Sequence, residues 1–220
     1  MAVDTMNINK LVRWFYFSDK TLRAELLKDI RQDRLKESGE KSSGGDFYTP
    51  FWADTRKHIL GEADLVELTA ERIKKNARRK DIYTKLQQGV IEIWHRGHNL
   101  DVRLLDRSIK GKCKFDNIGL TVKANNILAL LLEGEERIVY PYWFPEPKLS
   151  DEGARICLYL LSKTLKDHDI NNIRVFDVIR AEYYSLGLVP LQGDEIDLIE
   201  ANYKRIISMR DKILLEKMMS

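Results

Sequence analysis

The stretch from Gly119 to Leu161 limits the fold more than any other part of this sequence. Strand signals run over 120–123, 127–132 and 137–144. Between the last two, Glu133-Gly134-Glu135 marks a tight turn, glycine supplying access to positive φ. Ser150 then reads as the N-cap of a helix over 151–165, with Asp151 and Glu152 in a first turn where the helix dipole favours negative charge. Further on, Ile173-Arg-Val-Phe-Asp-Val-Ile-Arg-Ala-Glu-Tyr-Tyr184 reads as another strand, and such near-continuous apolar runs suit a buried one. Strand, helix and strand in one sheet require a right-handed crossover. The fold class is therefore α/β (α+β), with a small mixed sheet of four or five strands flanked by helices.

Upstream the spacing is helical. Residues 7–17 form a short helix anchored by Leu11, Trp14, Phe15 and Phe17. Ser18 caps a second helix over 19–37, whose stripe is Leu22, Leu26, Leu27 and Ile30. Thr49-Pro50 suits a helix start, running to about His58. Helices are predicted over 65–79, with Leu65, Leu68 and Ile73 inward, and over 82–95, capped by Asp81 and ended by Gly97. Asp194 to about Met218 reads as a long C-terminal helix. The chain divides into a helical lobe (1–98) and a mixed-sheet core with the C-terminal helix (99–220), the two sharing one core. Ser38–Gly45 is a flexible connector by composition and lacks the Walker spacing of a phosphate loop.

Charge is uneven. The net is +3, but residues 61–123 carry 14 basic and 9 acidic side chains, while residues 124–220 carry 12 and 16. The middle third is thus the candidate footprint for a polyanion. Within it, Arg72, Lys74, Lys75, Arg78, Arg79 and Lys80 crowd one helix end, and Lys110, Lys112 and Lys114 alternate along a loop or edge strand. Phosphate contact and a solvated helix end both account for the first cluster. No apolar run approaches the ~20 residues that span a bilayer, and the first residues lack a basic-then-apolar leader. Two cysteines make no disulfide framework, so a reduced thiol and the cytoplasm are expected.

Taken together, the order of elements over about residues 100–185 resembles the core of the restriction-endonuclease-like superfamily, the PD-(D/E)xK nucleases, and within it the RecB-type branch. There, one strand carries an Asp, a hairpin leads to a second strand with Asp/Glu-x-Lys, a helix with Gln-x3-Tyr follows, and another strand closes the unit. That chemistry needs two carboxylates on a divalent cation and a lysine beside the attacking water. This sequence departs from the motif at each point. Asn125 or Asn126 stands at the Asp position. Ile138-Val-Tyr-Pro-Tyr-Trp143 stands at the second, offering Tyr140 and Tyr142. The helix offers Arg155-x3-Tyr159. The resemblance implies a nuclease-like core without the catalytic motif, in which Asn125, Tyr140, Tyr142, Arg155 and Tyr159 line a pocket. No catalytic residue, metal or cofactor is expected.

Other patterns are weaker. His95 and His98 are three apart but lack further ligands with metal-like spacing. Asp167-His168-Asp169 suits a turn. The aromatic groups Phe47-Tyr-Thr-Pro-Phe-Trp52 and Tyr140–Phe144 either pack the lobe on the sheet or line a groove. Three functions follow. The first is a non-catalytic protein binding nucleic acid or a protein partner, in bacterial defence or repair and away from membranes. The second is a protein-interaction or structural module, which exposed Phe51, Trp52, Trp143 or Phe144 would favour. The third is an enzyme whose site a deep pocket joining His58, His95 or His98 to carboxylates would reveal.

Overall fold

The molecule is built around one long strand. In the computed structural model, which describes residues 3–39, 47–96, 101–105 and 107–219, strand β4 runs from Leu120 to Leu132 and pairs with four others. Along its first half it takes β1 (Thr5–Asn7) in parallel and β3 (Ile109–Phe115) antiparallel. Along its second half it takes β2 (Val102–Leu104) and β5 (Glu135–Tyr142), both antiparallel. Beyond β5 lie β6 (Ile173–Asp177), parallel to β5, and the short antiparallel β7 (Glu182–Tyr184). The sheet has seven strands. β1, β2 and β7 are three residues each, which is why a reading by hydrophobic pattern finds only four or five.

β4 stays continuous through Asn125-Asn126 because Asn126 adopts a φ of 58°. Asparagine tolerates that conformation better than most residues. Register passes from Ile109↔Ile127 to Gly111↔Ala124, so β4 spends one residue more than β3, the signature of a bulge. The extra residue resets the alternation. Leu120, Val122, Ala124, Ile127 and Ala129, all buried, face one way. Lys123, Leu128, Leu130 and Leu132 face the other.

On the first face lies α6 (Asp151–Thr164), capped by Ser150, whose Oγ accepts from the Gly153 N–H at 3.1 Å. β3 approaches this helix so closely that a Cβ at Gly111 would sit 2.0 Å from the Thr164 carbonyl oxygen. α1 (Ile8–Phe15), α2 (Asp19–Glu37) and α7 (Glu195–Met219) complete this layer. α7 is stapled to the N-terminal elements: Arg205 donates to the Phe15 and Phe17 carbonyls and to Asp19, and Tyr203 donates to the Val3 carbonyl.

On the second face lies the helical lobe. It takes only part of residues 1–98, namely α3 (Tyr48–Ile59), α4 (Leu65–Lys75) and α5 (Lys80–Arg96), because β1 joins the sheet and α1 and α2 pack in the first layer. The helix expected over 65–79 breaks at Asn76 (φ −152°, ψ 98°), and residues 77–79 form a 3-10 turn. α5 packs on the β6–β7 turn through Gly89, where a Cβ would meet the Val178 carbonyl oxygen at 1.6 Å. Side chains of lobe and sheet belong to one hydrophobic core. No described helix is long and apolar enough to cross a membrane. The expected end of α5 at Gly97, the residue His98 and most of the 38–45 connector lie outside the described residues.

Candidate functional site

β3 is the sheet's edge beside the first half of β4, and its alternation sets Lys112 and Lys114 on the face opposite α6, both exposed. Register then brings in a cation that the sequence pattern did not single out. Lys112 lies directly opposite Lys123, also exposed. Like charges in such a cross-strand pair repel. Lys114 has a neighbour in Asp116 at 2.5 Å, whose carboxylate raises its pKa. Lys110, Lys112 and Lys123 have no carboxylate partner among the described residues. All four lysines are exposed, so the charges meet solvent.

The second basic segment divides by role. Arg72 turns inward and forms a bidentate pair with Asp54, at 2.8 and 3.0 Å, which raises the arginine's pKa. Asp54 is buried, so this arginine joins α4 to α3. Arg79 lies over the rings of Phe47 and Tyr83, 5.5 and 5.3 Å from their centres. Lys74, Lys75, Arg78 and Lys80 are exposed. The start of α3 connects the two basic segments. Phe47 carries Arg79, and Thr49 Oγ1 accepts from Asn126 Nδ2 at 3.4 Å, at the bend of β4.

The five residues expected in a pocket take separate places. Asn125 is exposed on β4. Tyr140 is fully buried, its hydroxyl accepting from the Asn9 N–H at 3.1 Å, and Tyr142 donates to the Pro147 carbonyl at 2.7 Å. Burial pushes both phenols well above their ordinary pKa. Arg155, 5% exposed, pairs with Asp194 and with Glu195 (2.7 Å), tying α6 to the start of α7. Tyr159 is half-buried with Lys163 Nζ over its ring. None of the five lines the large cavity described below.

The histidines are equally scattered. His58 Nδ1 accepts from the Leu65 N–H at 3.4 Å, His95 is exposed, and His168 stands 3.7 Å from Glu136. Asp169 caps the turn at 170–172. Among the described residues no three His, Cys, Asp or Glu side chains gather as a metal site. The aromatic groups are interior: Phe51, Trp52, Trp143 and Phe144 are all buried, with Tyr48 stacked on Trp143 at 5.1 Å.

Where the lobe covers the second half of the sheet, it leaves a cavity of about 760 Å³. Its floor is Leu128 and Leu130 of β4, Val139 of β5 and Phe176 of β6. Its roof is Trp52 and Ile59 of α3 with Val90 and Trp94 of α5. The polar groups in its wall include three arginines, Arg96, Arg137 and Arg174. Arg137 and Arg174 share a face because Val139 pairs with Arg174, setting Arg137 on the next rung. Nothing in their sequence spacing reveals this; only strand register does. Compared with protein-family models, with curated proteins and with solved structures, the chain matches none.

Proposed function

We propose that this protein is a non-catalytic nucleic-acid-binding relative of the PD-(D/E)xK nucleases, working in the cytoplasm in bacterial defence or repair. The observation that carries the reading is the exposed Lys112–Lys123 pair, which has no carboxylate partner among the described residues. Two exposed cations held opposite one another cost stability, and a phosphate backbone offsets that cost. Arg78 and Lys80, near the start of α3, extend the basic surface toward the bend of β4. Contacts of this kind give affinity without choice of sequence.

The order of elements is consistent with the nuclease-like core: hairpin β4–β5, helix α6, then β6 parallel to β5. At the positions where that core carries its metal-binding carboxylates, this chain has Asn125, Asn126, Tyr140 and Tyr142, and both tyrosines are engaged in the interior. Binding without cleavage follows. The free thiols of Cys113 and Cys157 fit a reducing compartment, and burial pushes the Cys157 thiol far up, away from reactivity.

The test is a titration of fluorescent duplex and single-stranded DNA and RNA across a salt series, with and without magnesium. For duplex DNA each phosphate contact contributes about 0.9 to the slope of log affinity against log salt. Lys112→Gln with Lys123→Gln is expected to flatten that slope by roughly 1.8. An unchanged slope, or cleavage in magnesium, would overturn the assignment.

A further inference from the structure

The cavity between the lobe and the second half of the sheet is chemically unlike the lysine face. Its volume of about 760 Å³ falls within the ~300–1,000 Å³ of small-molecule sites. Its walls are largely aliphatic and aromatic. At such a site the polar groups that break the apolar lining fix the class of ligand. Here they are dominated by cations.

The three arginines differ in how they are satisfied. Arg96 bonds Glu92 and the Ala181 carbonyl, and Arg137 bonds Glu135. Arg174 has no carboxylate partner among the described residues. Its guanidinium donates only to the carbonyls of Asn171 and Ile173, at 2.6 and 2.9 Å. Burial, and then the neighbouring charge of Arg137, lower its pKa, against smaller opposing effects of Tyr183 and Glu135. A half-buried cation whose direct acceptors are neutral, beside a second cation, has its desolvation only partly compensated, by the more distant charge of Glu135. An anion at this place restores the balance, and the planar guanidinium matches a carboxylate in two parallel hydrogen bonds.

We propose that this cavity binds an amphipathic carboxylate, whose hydrocarbon chain lies between Leu130 and Trp94 and whose head docks on Arg174. The inference is independent of the nucleic-acid reading, because none of Lys110, Lys112 and Lys123 lines the cavity. The mouth is marked by Tyr183 and Leu188, 53% and 60% exposed, apolar surface that an entering chain would cover.

The probe is dodecanoate below its micelle concentration, followed by calorimetry and by the fluorescence of Trp52 and Trp94 in the cavity wall. Saturable binding at one site per chain is expected. Arg174→Met should weaken it about tenfold or more, the loss of one charge-assisted contact. Leu188→Glu sets a negative charge at an exposed position of the mouth, and should weaken dodecanoate more than dodecanol. Lys112→Gln should change nothing. Three results would each overturn the proposal: no saturable binding of dodecanoate, dodecanol binding as tightly as dodecanoate, or an Arg174→Met protein that folds and binds undiminished. Dodecyl phosphate binding ten times more tightly than dodecanoate would overturn the carboxylate assignment.

Discussion

Replacing Gly89 by alanine tests the packing of the lobe on the sheet, because two effects of opposite sign meet there. In an exposed helix interior, Gly→Ala stabilises by about 0.8–1.0 kcal/mol. Here the new methyl would stand 1.6 Å from the Val178 carbonyl oxygen and 2.8 Å from its carbon. Cβ contacts below 3.0 Å are essentially never seen, so α5 and the β6–β7 turn would have to part by at least about 1.4 Å. The turn yields poorly, since the Val178 N–H is bound to the Tyr142 carbonyl at 2.8 Å. Overpacking of this kind costs typically 1–3 kcal/mol and occasionally more. With backbone against backbone we take the upper end. The net loss is then ~2 kcal/mol, and Tm falls by roughly 4–8 °C for a chain of this size. Urea unfolding followed by circular dichroism should show a lower midpoint with an unchanged m value. A variant as stable as the parent, or about 1 kcal/mol more stable, would mean that α5 does not touch the β6–β7 turn.

We also predict that Arg155→Met destabilises by about 3–5 kcal/mol, because it leaves Glu195 buried without its cation. Burial pushes the Glu195 carboxyl up, but the N–H groups of Gln192 and Gly193 and the arginine outweigh it and hold the carboxyl below its ordinary 4.5. Asp194 is held below 3.8 by its hydrogen bond to Arg155. Depressed carboxylates contribute stability above their ordinary pKa and lose it as pH falls through the folded values. The difference between parent and variant should therefore be full at pH 7 and shrink below pH 4.5; a difference constant down to pH 2 would contradict the pairing. Arg72→Gln should lower the melting temperature without changing the salt dependence of DNA binding, since Arg72 is engaged with Asp54. Arg78→Gln with Lys80→Gln should do the reverse, leaving Tm within about 1 °C and flattening the slope. Binding titrations and melts on the same preparations separate the two.

Local chemistry made the helices readable. Ser18 and Ser150 precede helices that begin at the next residue, and the capping hydroxyl of Ser150 does what its position implies. Where the reading failed, the backbone conformation of a single residue decided the outcome. Asn126 holds β4 together through a bulge where two polar residues imply a break. Asn76 ends the helix expected over 65–79, its backbone extended and its side chain accepting from the Arg78 N–H. Ala181, at a φ of 51°, turns the expected strand over 173–184 back on itself as β6 and β7. The candidate sites were legible only in part. Lys112 and Lys114 could be named from alternation, but Lys123 joins them through register alone. Arg137 and Arg174 lie in separate strands joined through a helix, so no local pattern connects them. Arg155 and Tyr140 came into view only as occupants of positions in the nuclease-like motif, expected together in a pocket. What their partners were depended on Glu195 and Asn9, far away in sequence.

The staple between α7 and the N-terminal elements has a consequence for synthesis. Phe15 accepts a hydrogen bond from Arg205, 190 residues later, and the Val3 carbonyl accepts one from Tyr203. At ~5–20 residues per second a ribosome needs roughly 10–40 s to cover that distance. Throughout that interval Trp14, Phe15 and Leu22, which are buried in the finished molecule, lack α7 as a cover. Contacts so far apart in sequence also slow folding once the chain is free. Shielding of this N-terminal surface by α7 therefore awaits the translation of α7.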